Sequence, residues 1–180
     1  MRQFRFPFAS PAMPAEPLAA ILYTPEDKIE ALLAQAACML ASRGVRLGGV
    51  IQHDIAGTDD TPHTMELEDL ASGSRFALTQ DLGSGSDACS LDTAALAEAA
   101  AAVRDSLAAP PDLVLINKFG AQEVGGAGLR DEIGQAVAAG IPLLTAVGIR
   151  FADDWHTYTG GTGVLLEARL DAILAWWDSR

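Results

Sequence analysis

Asp112-Leu113-Val114-Leu115-Ile116-Asn117-Lys118-Phe119-Gly120 is the stretch that decides the fold. Four consecutive apolar residues separate Asp112 from Asn117, with no polar alternation. Such a run is the pattern of a parallel strand buried on both faces. An amide, an ammonium and a glycine follow it directly. Ligands of open α/β sheets bind at the C-terminal ends of strands, so Asn117 and Lys118 become candidate site residues.

Working outward, Leu18–Tyr23, Val45–Gln52 and Ile141–Val147 read as further buried strands. Thr24 as N-cap, Pro25 at the first helical position and Asp27 at N3 predict a helix running to about Arg43. Its inner face carries Ile29, Leu32, Leu33, Ala36, Met39 and Leu40, with Cys38 on its inner part. Gly48-Gly49 allows close backbone approach in the second strand. His53 to His63, with Asp54, Asp59 and Asp60, reads as a solvated polar loop. Thr64–Leu70 and Arg75–Gln80 flank the turn Ala71-Ser72-Gly73-Ser74 and make a β-hairpin. Asp92 caps a helix from Thr93 to about Leu107, and a second helix runs from Leu129 to Ala139. Gly148–Gly163 reads as irregular, with Trp155 and Tyr158 packed over the sheet edge, and Val164–Trp177 as a final amphipathic helix.

Residues 1–16, with Pro7, Pro11, Pro14 and alternating Phe4, Phe6 and Phe8, read as an N-terminal arm. Residues 17–180 read as one domain. Alternating strands and helices with an inserted hairpin predict an α/β fold, a three-layer, Rossmann-like, mostly parallel sheet.

The bulk composition narrows the partners. Acidic residues number 24 against 12 basic ones, a net charge of −12. Nucleic-acid binding needs a basic surface and is not expected. No run of apolar residues reaches transmembrane length and no signal-peptide core follows the N-terminus, so a cytoplasmic protein without membrane insertion is expected. The two cysteines, Cys38 and Cys89, form no C-x-x-C pair, and no metal site is expected.

Four segments are candidates for chemistry. At the first strand-to-helix turn, a phosphate loop would read G-x-x-x-x-G-K-[ST]. With Lys28 at the lysine position, Leu22 and Asp27 replace the two glycines, and Ile29 replaces the hydroxyl residue. An ordinary helix start is the better reading there. The second segment, Gln80-Asp-Leu-Gly83-Ser84-Gly85-Ser86-Asp-Ala-Cys89, leads into a helix. Its hydroxyls and backbone amides suit an anion, and Cys89 sits where a thiol pKa falls. A Gly/Ser connector is the alternative. The third is Asn117-Lys118, with Gln122 and Glu123 beyond. A nucleotide-hydrolysing P-loop enzyme carries a Mg²⁺-holding aspartate after such a strand; here the residue is Asn117, and Lys118 adds positive charge. The fourth offers Thr145 at a strand end and Arg150 as an oxyanion clamp. Asp153, Asp154 and His156 have only a superficial likeness to metal ligands.

Leu47-Gly-Gly-Val-Ile-Gln52, the Gln80–Asp92 block, Leu115-Ile-Asn-Lys-Phe-Gly120 with Gly126-x-Gly-x-Arg130, and Gly140-Ile-Pro-Leu-Leu-Thr-Ala-Val147 together resemble a bacterial family encoded beside molybdate-transport genes. The resemblance covers about residues 18 to 178. That family in turn resembles a degraded relative of small P-loop nucleoside-triphosphatases, which implies a P-loop-NTPase-like sheet. It also implies a role in molybdenum handling, with molybdate or tungstate as ligand. The oxyanion-binding set is then Gln80, Gly83, Ser84, Gly85, Ser86, Cys89, Asn117, Lys118, Thr145 and Arg150. A non-catalytic oxyanion-binding protein for storage, delivery or sensing is the first reading. The second is a nucleoside-triphosphatase or nucleotide-binding protein with rearranged motifs. The third is an interaction subunit, of a transporter or a homo-oligomer.

Overall fold

A computed structural model describes residues 16–58, 63–80 and 90–180. The strands are β1 (Leu18–Tyr23), β2 (Leu47–Ile55), β3 (Thr64–Asp69), β4 (Arg75–Ala77), β5 (Thr79–Gln80), β6 (Ser90–Leu91), β7 (Leu113–Phe119), β8 (Leu143–Gly148) and β9 (Val164–Glu167). The helices are α1 (Ile29–Ser42), α2 (Thr93–Ala108), α3 (Ala121–Val124), α4 (Arg130–Ala138), α5 (Ala152–Thr159) and α6 (Leu170–Asp178), with a 3₁₀ turn at Ile149–Phe151. Seven strands form one sheet in the order β4-β3-β2-β7-β8-β1-β9. Five of them are parallel, and the β3–β4 hairpin extends the edge in antiparallel fashion beside β2. This is a three-layer, P-loop-NTPase-like α/β fold. Among the described residues no helix is long and apolar enough to cross a membrane.

The layers follow from strand periodicity. Successive side chains of a strand point to opposite faces. Leu113 and Leu115 of β7 join Ala19, Ile21, Leu33, Leu40 and Ile173 under α1 and α6. Val114 and Ile116 join Ala20, Val103, Ile133 and Trp155 under α2, α4 and α5. All four β7 residues are fully buried, at about 1.5–3 kcal/mol of hydrophobic stabilisation each. The apolar run is thus apolar because both its faces are covered.

Close approach dictates one glycine. Gly49 adopts φ +90, and a Cβ there would run into the Leu115 carbonyl oxygen of the neighbouring strand.

Five local expectations are corrected. The first helix begins at Ile29, four residues after Pro25. Thr24 to Asp27 closes instead into a β-turn: Asp27 N–H donates to Thr24 O at 3.1 Å. The Asp27 carboxylate in return accepts from the Thr24 N–H at 2.7 Å and from its hydroxyl at 3.0 Å. Pro25 then sits at the second turn position, which its fixed φ equally suits. Cys38 is exposed on α1, not inward. His53 belongs to β2, where its Nε2 lies 2.6 Å from Glu68 Oε2 across the β2–β3 pair.

The segment after β8 is ordered into the 3₁₀ turn and α5, because Trp155 buries itself against Phe119 at 5.1 Å between ring centroids and Tyr158 stacks on Phe119 at 5.2 Å. Finally, Val164–Glu167 pairs with β1 as an edge strand, and the helix starts only at Leu170.

The connections set where a ligand can enter. β1 hands the chain to α1 on one face, while β7 and β8 hand it to α4 and α5 on the other. Neighbouring strands whose exits diverge open a crevice at their C-terminal ends. Here that crevice lies between β1 and β8, with the end of β7 beside it.

Candidate functional site

The site starts at the end of β7. Pairing with β8 is regular through Ile116 and shifts before Phe119. The residues inside this irregularity are Asn117 and Lys118, and the peptide bond between them is cis. Thr145 of β8 helps hold the irregularity: its hydroxyl donates to the Ile116 carbonyl at 2.6 Å. Thr145 is fully buried and its hydroxyl is used in the sheet.

Asn117 is 4% exposed, and among the described residues neither its amide nitrogen nor its amide oxygen has a hydrogen-bond partner. It lines a cavity of about 170 Å³ with Gln52, Lys118, Gly120, Gln122 and Glu123, closed by Leu67, Leu78, Leu96 and Leu129. Buried polar side chains are normally satisfied, so an amide left open in a cavity marks a place for something else to bind.

Glu123 forms another wall. Its carboxylate accepts from Gly120 N–H and Leu129 N–H, both at 2.9 Å. Burial pushes its pKa above the ordinary carboxylate range, against the pull of those two amides and of Lys118. Gly128, at φ +64, leaves room for it, since a Cβ there would meet the carboxylate. Arg130 donates to the Glu123 carbonyl at 2.9 Å and stacks over Tyr158, fixing the loop from behind.

Lys118 reaches the other way. Its ammonium donates to Glu30 Oε1 on α1 at 2.8 Å and lies 5.9 Å from the centre of the Tyr23 ring. Burial works to lower its pKa, but the Glu30 hydrogen bond and the charges of Tyr23, Glu30 and Asp54 hold it above the ordinary lysine value. Glu30 and Asp54 line a second cavity of about 410 Å³, shared with Asp27, Lys28, Gln52 and His53. Gln52 thus borders both cavities, and its amide donates to Asp54 at 2.7 Å.

The β1–α1 turn lacks the glycines of a phosphate loop, and its Thr24 amide already donates to the Asp27 carboxylate.

Of the expected set, Asn117 and Lys118 come together. Arg150, on the 3₁₀ turn, is exposed, lies over the Phe151 ring at 4.6 Å and does not line the Asn117 cavity. Thr145 does not line it either. Gly83, Ser84, Gly85, Ser86 and Cys89 lie outside the described residues, as does the side chain of Gln80. Among the described residues, no three histidine, cysteine or acidic side chains cluster as metal ligands. Glu30 and Gln52 were not singled out from sequence. Only the strand-end position of Gln52 hinted at a role; Glu30 meets Lys118 across 88 residues of chain.

Residues 18–176 match the family model described as "Protein of unknown function (DUF2478)". The chain belongs to this family. Over 160 residues the chain is 45% identical to "Molybdenum import ATP-binding protein ModC 2" of Bradyrhizobium diazoefficiens. The alignment takes in 89% of this chain and 18% of that protein, so the chain spans about a fifth of its relative's length. No solved structure matches the chain.

Proposed function

We propose that this DUF2478 chain is a non-catalytic binding domain for molybdate or a similar tetrahedral oxyanion, serving molybdenum handling. The observation that carries the proposal is the open, buried amide of Asn117 beside Lys118, at the C-terminal edge of the sheet. An oxyanion accepts hydrogen bonds and carries negative charge, which an amide N–H₂ and an ammonium both answer. The name of the Bradyrhizobium relative supports the ligand class, since that protein is called a molybdenum import component. The Gly83–Cys89 segment lies outside the described residues, between β5 and β6 in sequence, and Leu78 and Leu96 of the cavity wall stand close to those two strands along the chain. In this reading the segment supplies further hydroxyls and amides.

A second reading, nucleotide binding, draws on the words "ATP-binding" in the same name. The occupied Thr24 amide and the missing loop glycines weigh against hydrolysis by this domain.

Calorimetric titration with molybdate, tungstate, sulfate and phosphate tests the first reading, and MgATP tests the second. Lys118 is now paired with Glu30, so a bound dianion competes with that carboxylate. Lys118→Ala should weaken molybdate binding by about 1.5–3 kcal/mol, the worth of a charged hydrogen bond. Glu30→Gln should tighten it. Heat with none of the four anions ends the oxyanion reading.

A further inference from the structure

The crowding of carboxylates around one ammonium is not explained by anion binding alone. Glu30 comes from the first turn of α1 and Asp54 from the end of β2, yet both act on the Lys118 ammonium at the end of β7. Glu30 contacts it at 2.8 Å. Both carboxylates line the same cavity. The Tyr23 ring at the end of β1 closes the remaining side at 5.9 Å. The end of β1 and the start of α1 therefore meet the Lys118 ammonium at the end of β7, and the Asp54 charge adds to the field that holds its proton.

In P-loop enzymes a divalent metal sits at this edge of the sheet, held in part by an aspartate at the end of the strand. Here that strand ends in Asn117, which has no charge to hold a metal and whose amide is left open toward the adjoining cavity. The next residue sends a cation into the carboxylates.

We propose that the Lys118 ammonium is a built-in cation standing where a divalent metal would sit, so that this edge of the sheet takes its anionic ligand metal-free.

The other ionisable groups around the second cavity leave the ammonium in this place. The Asp27 carboxylate is held by Thr24. His53 pairs with Glu68. Lys28 precedes α1 and lines the same cavity. On the far side, Glu123 feels the Lys118 charge across the Asn117 cavity. A tethered ammonium needs no dissolved metal and loses no translational freedom on arrival. It presents three N–H donors, and only one bond, to Glu30, is formed in the described structure. The remaining donor capacity faces a ligand that brings acceptors and no metal of its own. That favours a bare oxyanion.

Removing the ammonium would leave Glu30 without its partner, facing with Asp54 a cavity whose remaining lysine is Lys28. Two carboxylates from separate elements, with an amide beside them, are a hard-oxygen set of the kind that Mg²⁺ and Mn²⁺ take. The part of this inference that concerns the ligand rests on the oxyanion reading; the part that concerns the metal does not.

Mn²⁺ titration followed by electron paramagnetic resonance tests it on four proteins: wild type, Lys118→Arg, Lys118→Ala, and Lys118→Ala combined with Glu30→Gln. The expected result is a Mn²⁺ site in Lys118→Ala at least tenfold tighter than any in wild type or Lys118→Arg, and its loss in the double variant. Equal Mn²⁺ binding by wild type and Lys118→Ala overturns the proposal, as does a folded Lys118→Ala protein that gains no site. Should Lys118→Ala fail to fold, Lys118→Met keeps the aliphatic bulk and is read in the same way. On wild type, molybdate titrations with excess Mg²⁺ and with chelator should give affinities equal within about twofold. A requirement for Mg²⁺ refutes the metal-free site. Absence of any molybdate heat removes the proposed function, while the Mn²⁺ measurements still decide whether the ammonium stands in for a metal.

Discussion

Asn117 keeps an amide buried with both its polar atoms unpartnered among the described residues. Leaving a buried polar group unsatisfied costs about 1–3 kcal/mol, whereas an apolar group of the same shape costs nothing of the kind. Asn117→Leu, close in volume, should therefore stabilise the protein by roughly 1–3 kcal/mol in denaturant unfolding while abolishing oxyanion binding. Gained stability with lost binding is the mark of a site residue kept at the expense of the fold; lost stability would show that the amide is satisfied in solution and would remove the main support for the site. Lys118 gives a prediction in pH. Its pKa is raised in the folded protein, so the folded state holds the proton more tightly than the unfolded chain. The stability it contributes is complete below the ordinary lysine value of about 10.4. It is lost as pH rises through the higher folded value. Thermal melts from pH 9 upward should show an alkaline decline that is shallower in Lys118→Met; identical slopes would mean that the Glu30 pair does not hold the strand end to α1.

At the scale of elements, what could be read from sequence depended on whether a segment's neighbours were local. β1, β7 and β8 were legible because two-sided burial erases polar alternation, a property of the segment itself. The start of α2 was legible because Asp92 caps it locally, accepting from Ala94 N–H at 2.9 Å and Ala95 N–H at 3.1 Å. Thr24-Pro25-Glu26-Asp27 misled because the same residues serve a helix cap or a β-turn, and only the Asp27 to Thr24 bonds distinguish them. Val164–Glu167 misled because an apolar run of three, Val164 to Leu166, beside a helix has no period of its own, and its pairing partner β1 lies some 145 residues earlier. The site divides the same way. Its position at the end of β7 could be read, but the open amide of Asn117 and the Glu30 partner of Lys118 are products of tertiary contact. Gly49 was read as a point of close approach, and the structure makes that quantitative. Gly49→Ala must carry a side chain at φ +90 against a backbone oxygen that cannot rotate away. The left-handed conformation costs about 1–2 kcal/mol and the overpacking about 1–3, so a loss of at least about 2 kcal/mol is expected. Gly73→Ala has open space around it and should cost only the conformational part. Equal losses at the two glycines would mean that β2 does not approach β7 as closely as described.

The whole molecule sets a third constraint, because an anion must reach Asn117 and Lys118 through the field of a chain carrying a net charge of −12. Glu30 and Asp54 stand beside Lys118, and Glu123 lines the Asn117 cavity. Beyond a few ångströms a dianion therefore meets repulsion, and only at contact does it meet the ammonium and the amide. Long-range fields act on association rates and are screened over a Debye length of about 8 Å at physiological salt and about 30 Å at 0.01 M. Raising sodium chloride from low to physiological concentration should then speed molybdate association, the reverse of what a basic anion-binding surface shows. The gain should come from the on-rate, while the off-rate, set by contacts inside the cavity, changes little. Stopped-flow fluorescence can follow this, since Tyr23 adjoins Lys118. Neutralising the nearest acidic group should flatten the effect: Asp54→Asn should bind faster than wild type at low salt and approach the wild-type rate at high salt. An association rate that falls with salt in both proteins would mean that the ligand enters past a positive stretch of surface and not past the carboxylates of α1 and β2.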